Sequence, residues 1–151
     1  MSLTTEFAFE LRANVDAPQE VGDTPAGRRR FIPIAGGTFA GPRLKGIVMP
    51  GGADAQVIRP DGVTDLVARY TLKTDDDTLI YVVNRGLRHG PVEVMQRLMR
   101  GEPVDPALYY FRTTPVFEVA AGPHDWLNRS IFVGIGARHA AEVHVRYYRV
   151  L

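Results

Sequence analysis

The segment from Gly36 to Asp54 holds six glycines and two prolines in nineteen residues, and they punctuate short apolar runs such as Ile47-Val48-Met49. Glycine is needed where a strand kinks or bulges, or where another backbone or a ligand comes close. The segment therefore predicts sharply bent β-structure that delivers one carboxylate, Asp54, to a defined place.

The flanking chain alternates in the same sense. From Thr4 to Val15, Phe7, Phe9, Leu11, Ala13 and Val15 interleave with Glu6, Glu10, Arg12 and Asn14, the period of a half-buried strand. Residues 16–27 read as a loop. Arg28-Arg29-Arg30 then leads into a strand, Phe31 to Ala35, that ends at the glycine pair; the three arginines fit a phosphate-binding spot but read first as a solvated strand start. Pro60-Asp61-Gly62 is a turn signal. Val63 to Thr74 and Thr78 to Arg88 form a strand pair joined through Asp75-Asp76-Asp77. Those aspartates lack the ligand spacing of a calcium loop and read as a polar hairpin tip. Tyr109 to Val119, Asn128 to Gly136 and Ala141 to Val150 complete the strands.

One helix is expected, Pro91 to Arg100, with Pro91 in its first turn, Val92, Met95, Leu98 and Met99 as an apolar stripe and Gly101 as its C-terminal cap. Its place between strands makes it the candidate lid for a barrel mouth. About eight to ten strands on short connections leave no room for alternating βαβ units. The fold class that follows is all-β: one antiparallel β-barrel spanning residues 1–151, closed at glycine kinks.

Composition narrows the function. A net charge of +1 over 151 residues gives no general pull toward nucleic acid or a membrane. Eighteen basic residues include only Lys45 and Lys73 as lysines, so sixteen are arginine, the side chain that grips carboxylates in a planar fork. The absence of cysteine excludes disulfides and thiolate chemistry. No apolar run approaches the roughly 18–20 residues of a membrane span, and the N-terminus lacks a signal-peptide pattern, so a cytoplasmic location is expected. Gly134-Ile135-Gly136 is not a dinucleotide fingerprint, since His139 stands where the third glycine belongs. His89, His124, His139 and His144 show no ligand-like pairing. Neither a metal nor a cofactor is expected.

What remains is a set of polar residues inside apolar strands. Arg69 lies in Leu66-Val67-Ala68-Arg69-Tyr70, Arg112 in Tyr110-Phe111-Arg112-Thr113, and Glu118 shares a face with Arg112 six residues earlier. Asp54 and Gln56 likewise share a face. Buried charges must be paired. One reading makes Arg69 and Arg112 structural or solvated partners of Glu118 and Asp54. The other gathers them in a cavity beside Tyr70, Tyr81, Phe117 and Trp126, with Asn128 completing the candidate ligand contacts. In that setting Asp54 or Glu118 would serve as a base with a raised pKa, and Arg69 or Arg112 would steady an enolate.

Several spaced segments together resemble one family. They are Gly36-Gly37-Thr38-Phe39-x-Gly41-Pro42-x-Leu44-x-Gly46, Gly51-Gly52-Ala53-Asp54, Asp61-Gly62, Ala68-Arg69-Tyr70-Thr71-Leu72, Ile80-Tyr81-Val82-x-Asn84-Arg85-Gly86, Tyr110-Phe111-Arg112-Thr113-x-Pro115-x-Phe117-Glu118 and Trp126-Leu127-Asn128-Arg129. This pattern is similar to the domain of unknown function 3237, also called uncharacterised protein family 0311, over roughly residues 5–150. The resemblance implies a small antiparallel barrel similar to lipocalin-like or calycin-like barrels that hold ligands inside. The family pattern carries an Asp-Gly pair at the turn before the Ile80 strand, where this chain has Asp77-Thr78.

Three functions are compatible with these residues. The first is a module binding a small, partly apolar, anionic or carbonyl-bearing molecule inside the barrel. The second is a cofactor-independent isomerase, cyclase or lyase using the carboxylates and arginines above. The third is a packed barrel that acts through its outer surface as a homodimer or higher homo-oligomer.

Overall fold

A computed structural model describes residues 1–151. Its strands are β1 (Thr5–Val15), β2 (Gln19–Thr24), β3 (Gly27–Ala40), β4 (Lys45–Val48), β5 (Gly52–Ile58), β6 (Thr64–Thr74), β7 (Leu79–His89), β8 (Tyr110–Val119), β9 (Phe132–Arg138) and β10 (Glu142–Val150). One α-helix, α1 (Val92–Met99), lies between β7 and β8. It is too short to cross a membrane, and no helix here is long and apolar enough to do so.

All pairings are antiparallel, and the sheet closes on itself where β1 meets β3. The closure depends on the glycine-rich bend. Before Gly36, β3 pairs with β5 on one edge and with β2 on the other. β1 takes up the second edge from Ile34, and β4 replaces β5 on the first from Gly37. β4 and β5 thus share one position in the wall between β3 and β6, interrupted at Met49–Gly51. The ten strands make an eight-strand barrel, with β2 lying outside it as a flap on β3. Gly37 is indispensable to this switch: its φ is +141°, and a Cβ there would collide with the carbonyl of Arg12 on β1.

Three local expectations are revised. Residues 16–27 are not all loop, because Gln19–Thr24 is a strand paired to Gly27–Phe31. The strand starting at the arginines does not end at the glycine pair but bends through it to Ala40. The helix turns Val94 and Leu98 inward, while Val92 and Met99 are exposed. Pro91 stands just ahead of the first turn in an extended conformation, and Gly101 caps the end at φ +75°. At the Asp75–Thr78 tip, Asp77 takes the left-handed position (φ +66°) that aspartate tolerates better than most residues.

Two clusters fill the barrel. Phe9, Phe117, Phe132 and Tyr147 interlock toward one end, with ring centres 5.0 Å apart for Phe9–Tyr147 and for Phe117–Phe132. At the other end Val94 and Leu98 of α1 pack with Leu66, Val104, Tyr109 and Phe111. The helix therefore plugs one mouth. Where the two clusters meet, the packing leaves a cavity.

Candidate functional site

The register of the strands builds the cavity wall in rows. Ile32, Asp54, Ala68 and Asn84 lie side by side across β3, β5, β6 and β7. Ala68 is the small member, and its missing bulk leaves space between the carboxyl and amide groups that flank it. The next row toward the helix holds Arg30, Gln56, Leu66 and Gly86. Beyond that, Thr64, Arg88 and Phe111 stand together.

The cavity measures about 40 Å³, and its wall includes Leu11, Ile34, Leu66, Phe111 and Val145 alongside Asp54, Gln56, Tyr70, Asn84, Arg138 and Tyr147. At about 10–15 Å³ per water, that is room for roughly three waters or a small apolar group. A second space of about 220 Å³ lies at the mouth beneath α1, lined by Arg30, Arg88, Arg100 and Arg138 with Met95 and Leu98. Arg138 borders both spaces.

A chain of hydrogen bonds orients the polar groups. Arg30 donates from Nε to Glu20 at 3.0 Å and from Nη1 to Gln56 Oε1 at 3.5 Å. Gln56, only 1% exposed, donates from Nε2 to Asp54 Oδ2 at 2.8 Å. The other carboxyl oxygen of Asp54, Oδ1, is shut off from solvent and has no partner. In a second chain, Asn84 Nδ2 donates to the Tyr147 hydroxyl at 2.9 Å, which lies 3.1 Å from the Tyr70 hydroxyl.

The electrostatics follow from burial. Loss of water pushes the Asp54 carboxyl above the usual carboxylate range, against the downward pull of the Gln56 hydrogen bond and of Arg88, Arg138 and Arg30. Burial likewise pushes Arg88 down to about 10, with Arg138 and Arg30 adding repulsion and Asp54 opposing it. Arg88 is 5% exposed, its Nε has no hydrogen-bond partner, and its guanidinium stands 5.3 Å from the Phe111 ring centre. Arg138 is lowered by burial and by Arg30. Burial and the Asp54 charge raise Tyr70 above the usual phenol range, although its bond to Tyr147 pulls the other way.

Of the residues expected from sequence, the structure brings Asp54, Gln56 and Tyr70 together at the cavity. It does not bring Arg69, Arg112 or Glu118 there. All three are exposed on the outer face, Arg69 donating to the Tyr81 hydroxyl at 3.4 Å and Arg112 to its neighbour's carbonyl, that of Phe111, at 2.9 Å. Tyr81 is also outside, opposite Glu118. The expected ring of Arg69, Arg112 and Glu118 about Asp54 is thus overturned by strand parity: Ala68, Tyr70, Phe111, Thr113 and Phe117 take the inward positions.

The remaining three have other surroundings. Phe117 is buried among Phe9, Phe132 and Tyr147. Trp126 packs beside Phe132 under the Arg43 guanidinium, 3.8 Å away. Asn128 uses its amide to clip both backbone groups of Val119, at 2.8 and 2.9 Å. Of the cationic groups that do line the interior, Arg30 belongs to the triplet weighed above, whereas Arg88 and Arg138 were not anticipated. Their signal was present: Arg88 is in step with Ile80, Val82 and Asn84, and Arg138 with Gly134 and Gly136. Arg30 is buried and not a solvated start of its strand, while Arg28 of the same triplet is exposed.

Known proteins share this architecture. Residues 3–150 match the model of a family described as "Protein of unknown function (DUF3237)". A UPF0311 protein of Rhodopseudomonas palustris is 44% identical over 150 residues, covering 99% of this chain and 98% of the relative. A crystal structure of a conserved protein of unknown function from R. palustris superposes with a TM-score of 0.97 at 44% identity, covering 100% and 99% of the two chains. A beta-barrel like protein from Acinetobacter baumannii does so with a TM-score of 0.87 at 37% identity, covering 100% and 98%. The chain belongs to DUF3237, the UPF0311 proteins.

Proposed function

We propose that the barrel binds a small, partly apolar organic anion, with its charged end among Arg30, Arg88 and Arg138 and its apolar body directed into the cavity. The observation that carries this reading is Arg88, a guanidinium enclosed in the barrel with no carboxylate within ion-pair distance and an unpartnered Nε. Enclosing an uncompensated charge is costly. Arg30 has Glu20 as a counter-ion, whereas the Arg138 guanidinium donates only to a backbone carbonyl, that of Glu142, at 3.3 Å. The mouth thus carries more positive than negative charge, and an anion seated there relieves it. The Leu, Ile and Val side chains of the inner wall suit the rest of such a molecule.

A second reading, a cofactor-independent isomerase, cyclase or lyase, draws on Asp54, whose enclosed carboxyl is of the kind used for proton transfer. Arg88 then takes the part expected of Arg69 or Arg112 in steadying negative charge. The binding reading is tested by native mass spectrometry after incubation with a bacterial metabolite extract. The expected result is a small acidic adduct on the wild type that is lost in Arg88→Met, a substitution that keeps the stem's volume without the charge. A wild-type spectrum showing only the bare chain contradicts the reading. Conversion of the captured molecule by the wild type but not by Asp54→Asn selects the enzyme.

A further inference from the structure

Two hydrogen-bond chains converge on the cavity, and each ends in a group with a proton to give. In one, Gln56 Nε2 donates to Asp54 Oδ2, with the Gln56 amide fixed by Arg30 at its other end. A proton on the carboxyl therefore belongs on Oδ1, the oxygen without a partner. In the other, Tyr147 accepts from Asn84, so its own proton needs an acceptor, and the hydroxyl of Tyr70 lies at 3.1 Å. With the Asn84 amide turned as here, donating from Nδ2, the acceptor for the Tyr147 proton is the Tyr70 hydroxyl. The relay therefore runs from Asn84 through Tyr147 to Tyr70, leaving the Tyr70 proton free.

Asp54 and Tyr70 are neighbours on one face of the sheet. Gly52, two residues before Asp54, packs its backbone against Tyr70, and a Cβ there would stand 2.5 Å from the Cβ of Tyr70. Such diagonal positions are about 7–8 Å apart, close enough for two side chains to reach one atom between them. We propose that Asp54 and Tyr70 form a pair of convergent donors for a single oxygen of the occupant, and that this oxygen belongs to an enolate or a phenolate.

This inference rests on the reading that the interior accepts an organic anion, and it names the class. Burial favours the neutral carboxyl that the pair requires, and Arg30, Arg88 and Arg138 are the charged groups acting on it. A neutral acid and a phenol held in an apolar pocket are an effective cradle for oxygen that carries negative charge, because both donors are already oriented and little water competes. An ionised Asp54 would do the reverse and repel such an oxygen.

Absorbance titrations with para-nitrophenol, for the phenolate arm, and dimedone, for the enolate arm, test the pair. The wild type is expected to bind at least one probe as its anion and to lower that probe's apparent pKa; the probe so bound identifies the class. Asp54→Leu and Tyr70→Phe are each expected to weaken anion binding about tenfold, while Asp54→Asn, whose amide still donates, loses less. Tighter binding in Asp54→Leu or Asp54→Asn overturns the proposal, because it means that a repelling carboxylate was removed. Unchanged binding in Tyr70→Phe, or no binding of either probe, also overturns it. Benzoate, titrated in parallel against the wild type and Arg88→Met, separates the two claims: Arg88-dependent benzoate binding without probe binding leaves the anion reading intact and removes only the donor pair.

Discussion

Asp54 is held between opposing forces. Dehydration favours its neutral form, whereas one amide hydrogen bond and three guanidiniums favour its ionised form, and dehydration is the largest of these effects. The folded protein therefore holds this proton more tightly than the unfolded chain does. The resulting stabilisation is complete below the usual carboxylate range and is lost as the pH rises through the raised value. Asp54→Asn, which cannot ionise, is expected to flatten that decline, so that its stability gains on the wild type between pH 4 and pH 7. Urea denaturation at the two pH values checks this, and equal slopes for both proteins would contradict it. Sequence alone put Asp54 and Gln56 on one face because they stand two residues apart, but it grouped Tyr70 with its neighbour Arg69, which alternation turns outward. It misplaced Arg69, Arg112 and Glu118 because β6 and β8 carry apolar side chains on both faces, Val67 and Val116 outside as well as Leu66 and Phe117 inside. Parity cannot be read from such strands.

At the level of elements, the glycine-rich bend is where local chemistry decides topology. Gly37 and Gly51 both have positive φ, at +141° and +105°, but their surroundings differ. A Cβ at Gly51 meets nothing within 4 Å, whereas at Gly37 it strikes the backbone of β1. Gly37→Ala should therefore cost well over about 1 kcal/mol, and Gly51→Ala only the conformational part of that. Denaturant midpoints of the two variants check the ranking, and equal losses would show that contact with β1 is not what the glycine protects. The bend was legible as a kink because its glycines are dense. Its exchange of partners was not, since β4 and β5 taking turns beside β3 depends on where β1 and β6 lie. The strand within residues 16–27 was obscured in a similar way. Gln19–Thr24 is an edge flap with no buried residue, so no apolar alternation announces it.

Across the whole molecule, the barrel is asymmetric along its axis. One end is solid with interlocked aromatic rings, and the other is plugged by a two-turn helix over a basic vestibule. The hollow between them is lined mostly by apolar side chains, the mouth beyond it is positively charged, and α1 lies over that mouth. The count of strands and the single helix made the barrel foreseeable. The hollow was not, because it arises where Ala68 sits between longer neighbours on adjacent strands, a relation that only register creates. The most direct measurement is a crystal structure of the protein soaked with benzoate. The account predicts density for the carboxylate against Arg88 and Arg138, with the ring reaching toward Tyr70 and Asp54. An interior without ligand density at saturating benzoate, with α1 seated as here and the arginines turned to other partners, would contradict it.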